Sequence, residues 1–403
     1  MKQIKNPPQK SKALPDVIDS FAYAKLSDEE KKNFRPTDTK YDRLPRFCFW
    51  FYGLSLFCLG LYIAFMLNAD FADFFNTHIS SAGRWILATL TAWLPFSLGE
   101  FIIFMIPIGL VALLLYAFKY RCDTWRSALT LTGTVFSLIA ALFSVFTLNF
   151  APGYRGRSLD QKLALVKVPV HAQDLYETAE YLKNCVNAEA ETLHFGQDGF
   201  SLMPYSLDTM RDRLDTSYDD FCQNHDFISH SPGQVKPVLL SEAMSYLHIT
   251  GVYTFFTGEA NLNVNFPDYT IPFTAAHEMA HQRGIAREDE ANFIAYLVCI
   301  SSDDTYIRYS GYLNMYEYVV SALASADRDL FAKSYSDITH RVKAELTAYG
   351  KFYEKYRYST AGKISGVVND SFLQSQGTPG TQSYGMVVDL AVAYHKETIP
   401  AEQ

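Results

Sequence analysis

The sequence predicts a mainly α (α+β) protein in two parts: three membrane-spanning helices near the N-terminus, then a larger, mostly helical domain with a short edge strand or small sheet. Three observations predict it. Three long, charge-free apolar runs crowd into the first 149 of 403 residues. Beyond them, apolar residues recur at helical spacing. One passage, Glu259 to Phe266, instead alternates apolar and polar residues with the period of a strand.

Residues 1–46 form a polar tail with 11 Lys and Arg against 7 Asp and Glu. Its five prolines and its length before the first apolar run do not fit a cleavable signal peptide, so the first membrane helix is expected to do the targeting. The membrane domain spans 47–149. Phe47–Leu67, Phe101–Phe118 and Ser127–Leu148 each come within reach of the roughly 17–25 residues that cross a bilayer core. Pro107 and Gly109 in the second run are tolerated in such helices. A shorter run, residues 85–94, carries Trp85 and Trp93 near its ends and is stopped by Pro95. It is too short to span and is expected as an interfacial or re-entrant helix.

Basic residues in the tail, and Lys119, Arg121 and Arg126 after the second run, place the N-terminus in the cytoplasm by the positive-inside rule. Residues 150–403 then form an extracytoplasmic domain. Arg155, Arg157 and Lys162, just past the third run, weigh against that orientation. The net charge of -8 argues against a nucleic-acid partner; the lipid bilayer is the partner the first 149 residues demand.

In the outer domain helices are expected over Gln173–Leu193, Leu207–Asn224, Glu288–Ser301, Leu313–Ala326, Leu330–Tyr356 and Tyr384–His395. The strand Glu259–Phe266 should keep one wet face, with Asn261, Asn263 and Asn265 outward, and end at Pro267 and Pro272. Six cysteines match no zinc-finger spacing. Only Cys185, Cys222 and Cys299 fall in the outer domain, where a Cys185–Cys222 bridge is an option and three free thiols the expectation.

The chemistry concentrates in Thr274-Ala-Ala-His-Glu-Met-Ala-His-Gln-Arg-Gly284. His277 and His281, four apart, share one face of a helix and can grip a single metal ion, with Glu278 beside them. A catalytic zinc site takes three protein ligands and leaves a position for water. Gly284 can end the helix in a left-handed conformation and turn the chain back, so that the next helix presents a carboxylate. Glu288 is the expected third ligand and Glu290 its competitor. Asn292, one turn beyond Glu288, is placed to bond a ligand imidazole. Glu278 is expected to act as general base toward a zinc-activated water, and His395 and Tyr384 are the suspects for stabilising the oxyanion. The alternating strand lies where zincin folds put an edge strand that can bind an extended peptide. His171, His194, His225, His230, His248 and His340 have no partner spacing and are expected as surface or core histidines.

Thr257-Gly-Glu-Ala-Asn261, Pro272-Phe-Thr-Ala-Ala-His-Glu-Met-Ala-His-Gln282 and Gly284-Ile-Ala-Arg-Glu-Asp-Glu-Ala-Asn-Phe293, with the three-helix N-terminus, resemble a family of bacterial membrane proteins of unknown function. That resemblance covers most of the chain and implies the plasma membrane of a bacterium. More distantly, Glu288-x-Glu-Ala-Asn-x-Phe-Ile-Ala295 is similar to the second motif of bacterial metallopeptidases that act on phage-repressor-type regulators, and Glu288-x-x-x-Asn292 to the gluzincin pattern, which implies Glu288 as ligand. Two departures stand out: only six residues separate His281 from Glu288, and Asn292 occupies a position where many gluzincins carry Asp. The expectation is a membrane-anchored zinc metallopeptidase, gluzincin-like in its site, with a peptide or protein substrate near the membrane surface. The alternatives are a non-catalytic zincin-like sensor or scaffold that binds peptide, and a cell-wall amide hydrolase.

Overall fold

The structure, a computed structural model, describes residues 16–18, 20–36, 43–120 and 124–398. Residues 1–15, 19 and 37–42 of the polar tail, and Arg121 and Cys122 after the second run, therefore lie outside the described residues. The chain divides into two compact units, Met1–Phe57 with Ile103–Ser144, and Cys58–Ile102 with Val145–Gln403.

In the first unit β1 (Asp16–Ile18) pairs in parallel with β2 (Phe34–Pro36), with the short α1 (Ser20–Ala24) between them. Three helices run through both units. α2 (Arg46–Leu67) leads into α3 (Ala69–Phe74), a π-type turn over Phe75–Ser80, and α4 (Ser81–Ala92); α5 (Leu98–Tyr120) and α6 (Trp125–Asn149) follow. α2, α5 and α6 are long and apolar enough to cross a membrane, and they cover the three expected spans with a few added residues at their ends. Side chains such as Leu110, Leu114 and Leu115 stand exposed on α5, as a surface solvated by lipid rather than water would leave them. Pro107 sits inside α5 without ending it. Within the first unit, the Tyr52 hydroxyl donates to the Gly133 carbonyl at 2.6 Å, tying α2 to α6.

The expected helix at 85–94 begins earlier, at Ser81. Its inner face is fixed by packing: Gly258 approaches Ala88 and Leu87 so closely that a Cβ there would meet the Ala88 nitrogen at 2.8 Å. Its outer face leaves Trp85, Ile86 and Leu90 exposed.

The rest of the second unit runs α7 (Leu159–Lys162), α8 (Ala172–Ala190), α9 (Leu207–Asn224), β3 (Val235–Pro237), α10 (Ser241–Tyr246), β4 (Gly251–Thr254) and β5 (Glu259–Leu262). It continues with α11 (Ile271–Gln282), α12 (Glu288–Ile300), α13 (Thr305–Ala326), α14 (Arg328–Ser336), α15 (His340–Arg357), α16 (Thr360–Ser375) and α17 (Val387–Thr398). The core lies among α8, α11, α12, α13 and α17, where Leu182, Met279, Phe293, Leu313 and Val392 are buried together. Gly311 lets α13 lie against α12: a Cβ there would come within 2.6 Å of that of Cys299. Cys185, Cys222 and Cys299 are free thiols, and no bridge joins Cys185 to Cys222.

Four expectations need correction. Leu330–Tyr356 is two helices, because Asn187 on α8 accepts from the Thr339 backbone amide at 3.0 Å and donates to the Asp337 carbonyl at 3.2 Å, pinning a break between α14 and α15. Leu313–Ala326 starts eight residues earlier, at Thr305, where the Asp304 side chain caps the Ile307 amide at 2.9 Å. The last helix begins at Val387 rather than Tyr384, after a 3-10 segment over Gly380–Met386.

The fourth correction concerns the alternating strand. β5 ends at Leu262 and is the centre of a three-stranded sheet of order β3-β5-β4, not an edge; all four of its residues are buried. Asn261 within it and Asn263 just beyond it are buried. Asn261 donates to the Val252 carbonyl at 3.0 Å and Asn263 to the Ile249 carbonyl at 2.8 Å, so period two here marks internal hydrogen bonding. The two edges are β3 and β4, the latter antiparallel to β5 with Val252 opposite Asn261.

Glu259 at the start of β5 anchors this sheet to the entrance of α5. Its carboxylate accepts from the Leu98 and Gly99 amides at 3.0 and 2.8 Å and pairs with Lys236 of β3 at 2.7 Å. Lys236 also donates to the Thr91 carbonyl at 2.7 Å, and both side chains are buried. Removing one partner of a buried pair strands the other, at a cost of about 3–5 kcal/mol. Glu259→Ala should therefore lower the thermal midpoint of the detergent-solubilised protein by roughly 10 °C; a shift below about 2 °C would show that the pair carries no such weight.

Candidate metal centre

The site is built on α11 and the turn that follows it. Pro272 occupies the first turn of α11, where its missing amide hydrogen costs nothing. Gly284 ends the helix with φ of +99°, and the Ile285 amide returns to the Ala280 carbonyl at 3.1 Å, the closing bond of a glycine C-cap. The turn has two consequences. It aims α12 back at α11, and it brings the Ile285 carbonyl to His281 Nδ1 at 2.7 Å. That bond makes Nδ1 the protonated nitrogen and leaves the Nε2 lone pair directed at the site.

His277 Nε2, His281 Nε2 and a Glu288 carboxylate oxygen form a triangle with sides of 3.0, 3.2 and 3.4 Å. Ligand atoms bound tetrahedrally to zinc at about 2.0–2.1 Å stand about 3.3–3.4 Å apart, so donor types and spacing both fit a small divalent cation. All three residues of the triangle line a large cavity. Buried polar atoms without hydrogen-bond partners among the described residues gather here as well: His277 Nδ1, Glu278 Oε2 and Asn292 Nδ2. Native interiors rarely leave such atoms unmet.

Electrostatics separates the two glutamates. Burial pushes the Glu278 carboxyl up to about 7, against the pull of His277 and His281. Burial acts on Glu288 in the same direction, but the charge and hydrogen bonds of His281 and His277 override it and hold the carboxyl well below the usual range. For His281 burial favours the neutral ring, and the Glu288 carboxylate overrides it, raising the imidazole to about 9. The trio thus holds a proton where a cation would displace it. Glu278 lies under β4, with Gly251 so close that a Cβ there would meet Oε1 at 2.5 Å.

The structure brings together Glu278 with His277, His281 and Glu288, and it separates other candidates from them. Glu290 points away: its Oε1 accepts from the Leu159 amide and from Arg287, both at 2.9 Å. Asn292 lines the cavity without bonding either imidazole, since the Ile285 carbonyl already orients His281. The neighbour of Asn292 is the Tyr318 hydroxyl. His395 lies in the core, with Nε2 2.9 Å from the Tyr296 hydroxyl and its ring against Tyr181. The Tyr384 side chain lies outside the described residues.

Several site residues escape sequence reasoning. Tyr318, Asn314 and Glu317 of α13 line the cavity, but nothing in a tyrosine-rich helical stretch distinguishes them. Arg84 had one signal, a lone cation beside an apolar run. It is buried, donating to the Asn76 side chain at 2.8 Å and to the Asn76 and Asn149 carbonyls at 3.0 and 2.7 Å, while Asn76 donates to the Gly284 carbonyl at 3.0 Å.

Residues 75–392 match the family described as "Protein of unknown function (DUF3810)". The chain belongs to that family, whose matched region opens one residue before Asn76 and contains the whole cluster. No curated protein and no solved structure matches the chain.

Gly284→Ala would force a left-handed backbone on alanine and bring its Cβ within 2.3 Å of Arg84 Nη2. The expected result is destabilisation by more than about 1 kcal/mol and a cobalt or zinc affinity at least tenfold weaker; metal titration by absorption checks it, and unchanged affinity would show that the turn does not set the site. Burial holds His395 down at about 4. Below about pH 6.5 the unfolded chain takes up a proton that the folded chain refuses, so stability is present above that pH and is lost as pH falls toward 4. His395→Gln should remove up to about 3 kcal/mol of that acid sensitivity, read as thermal midpoints at pH 7, 5.5 and 4; parallel curves for both proteins would contradict a buried neutral imidazole.

Proposed function

We propose that this protein is a membrane-anchored zinc metallopeptidase that hydrolyses peptide bonds. The observation that carries the reading is the near-equilateral His277–His281–Glu288 triangle beside a buried carboxyl, all three of its residues lining a cavity. His277, His281 and Glu288 would hold the zinc ion, which supplies a concentrated positive charge that polarises a carbonyl and acidifies water.

Glu278 serves as general base. A carboxylate in its ordinary range is too weak a base to take a proton from water near neutrality; one raised to about 7 can take it and pass it to the leaving amine. The Tyr318 hydroxyl, held above its ordinary range by burial and so a dependable donor, lines the same cavity and would bond the carbonyl oxygen as charge develops. β4 offers a free edge beside Glu278 for backbone pairing with an extended peptide.

The N-terminus lies in the cytoplasm and the site on the outer face of a bacterial plasma membrane. That orientation rests on the basic tail and the basic residues after α5; the ion pairs of Arg157 with Asp70 at 2.6 Å and Lys162 with Asp73 at 2.8 Å tie the segment between α2 and α5 to the chain after α6, in either orientation. Both segments belong on one side if all three helices cross. Of the basic residues that argue against this orientation in the sequence, Arg157 and Lys162 pair with those acids, and Arg155 donates to the Tyr62 hydroxyl at 2.8 Å.

The test is metal content and cleavage in the purified full-length protein. Wild type and Glu278→Gln should each carry about one zinc per chain, His277→Ala almost none, and Glu278→Gln should lose at least about a hundredfold in peptide cleavage. Equal and negligible zinc in wild type and His277→Ala removes the metal site. Zinc binding in a wild type that cuts no peptide removes the peptidase and leaves a sensor, or a hydrolase of cell-wall amides, which peptidoglycan fragments assayed in parallel would reveal.

A further inference from the structure

The cavity in front of the metal centre has a volume of about 1460 Å³, above the roughly 300–1,000 Å³ of most small-molecule pockets. Its two walls differ in kind. One carries the ionisable groups of α11, α12 and α13; the other is built from Phe146 and Phe150 at the end of α6, Phe255 beyond β4, and Ile364, Val368 and Phe372 of α16. The apolar wall is continuous, with the Phe146 ring packed edge-on against Phe255 at 5.3 Å and Phe372 at 6.1 Å. It reaches the metal centre, where the Phe150 ring lies 6.0 Å from that of His281.

Ile364, Val368 and Phe372 follow one another at four-residue steps, a single stripe along α16, and are 61%, 63% and 41% exposed. Ser359 caps this helix, so the stripe belongs to a defined element. An apolar stripe bordering a deep cavity and left open is what a bound apolar segment would cover. No Lys or Arg lines the cavity among the described residues, and Glu317 adds a further acid to its polar wall. An acidic peptide would find no Lys or Arg side chain there.

We propose that the substrate is a polypeptide carrying bulky aliphatic or aromatic side chains on both sides of the scissile bond, as a chain has where it leaves the bilayer, and that Phe146, Phe150, Ile364, Val368 and Phe372 select it. This inference rests on the peptidase reading. A polypeptide rather than a lipid amide is the occupant because the β4 edge, which pairs with backbone, forms part of the same cavity. Phe146 lies in the last turn of a helix long and apolar enough to cross a membrane, and Phe150 directly follows it, so part of the apolar wall is continuous in the chain with a candidate span.

The experiment uses the full-length protein in lipid nanodiscs with three probes: a quenched peptide with Leu and Phe flanking the central bond, one of equal length with Ser and Asn there, and a fatty acyl amide of a small amine. The apolar peptide should show kcat/KM at least tenfold above the polar one. Ile364→Asn with Val368→Asn should cut that ratio to a third or less, through KM, with zinc content as in wild type. Equal rates for both peptides, a ratio untouched by the double variant, or faster cleavage of the acyl amide would each overturn the inference. Binding of the same labelled peptides to Glu278→Gln is measured in parallel. If wild type cuts nothing but Glu278→Gln still binds the apolar peptide at least tenfold more tightly, the peptidase reading falls and the apolar selectivity stands; binding without preference sinks the selectivity.

Discussion

The turn at Gly284 depends on a buried cation. Arg84 has no carboxylate partner among the described residues; its guanidinium is held by carbonyl oxygens, one of them the Asn149 carbonyl at the C-terminal end of α6. That end of a 25-residue helix carries the negative pole of the helix dipole, which offsets part of the cost of burying the charge. Burial draws the guanidinium down to about 10, still charged at neutral pH. Through Asn76 the same group fixes the Gly284 carbonyl, and through that turn the positions of His281, Ile285 and Glu288. The segment between the first two candidate membrane helices is therefore part of the framework of the site, and the family match beginning at residue 75 takes it in.

Neighbouring acids acquire opposite characters within this framework. Glu278 and Glu288 are both buried, yet one is lifted toward neutrality and the other held strongly acidic. The difference is which groups each faces: Glu288 meets both imidazole nitrogens, whereas Glu278 lies under the backbone of β4 with one oxygen unmet. Two carboxyls whose environments push them apart can divide the work of holding a cation and moving a proton.

Where the sequence misled, the cause was a polar residue whose partner lay far away in the chain. The asparagines of Glu259–Phe266 repeat with the period of a wet face, but Asn263 bonds Ser245 and Asn265 bonds Tyr356, so their side chains are spent on internal partners while Val264 is the exposed residue. The continuous helical pattern of Leu330–Tyr356 hides a break set by Asn187, some 150 residues earlier. His395 looked available for chemistry and is a core histidine whose Nε2 meets the Tyr296 hydroxyl.

Local spacing alone determined the three long apolar helices, the i, i+4 pair His277 and His281, the glycine stop at Gly284 and the carboxylate-rich start of the next helix, because each is a matter of a few adjacent residues and the period of one element. The choice of Glu288 over Glu290, the replacement of Asn292 by the Ile285 carbonyl as the group orienting His281, the central place of β5, and the joining of Arg84 to the Gly284 turn were decided only by tertiary structure. Each depends on which distant group arrives within hydrogen-bonding distance. A contact made across 200 residues of chain leaves no periodicity by which to read it.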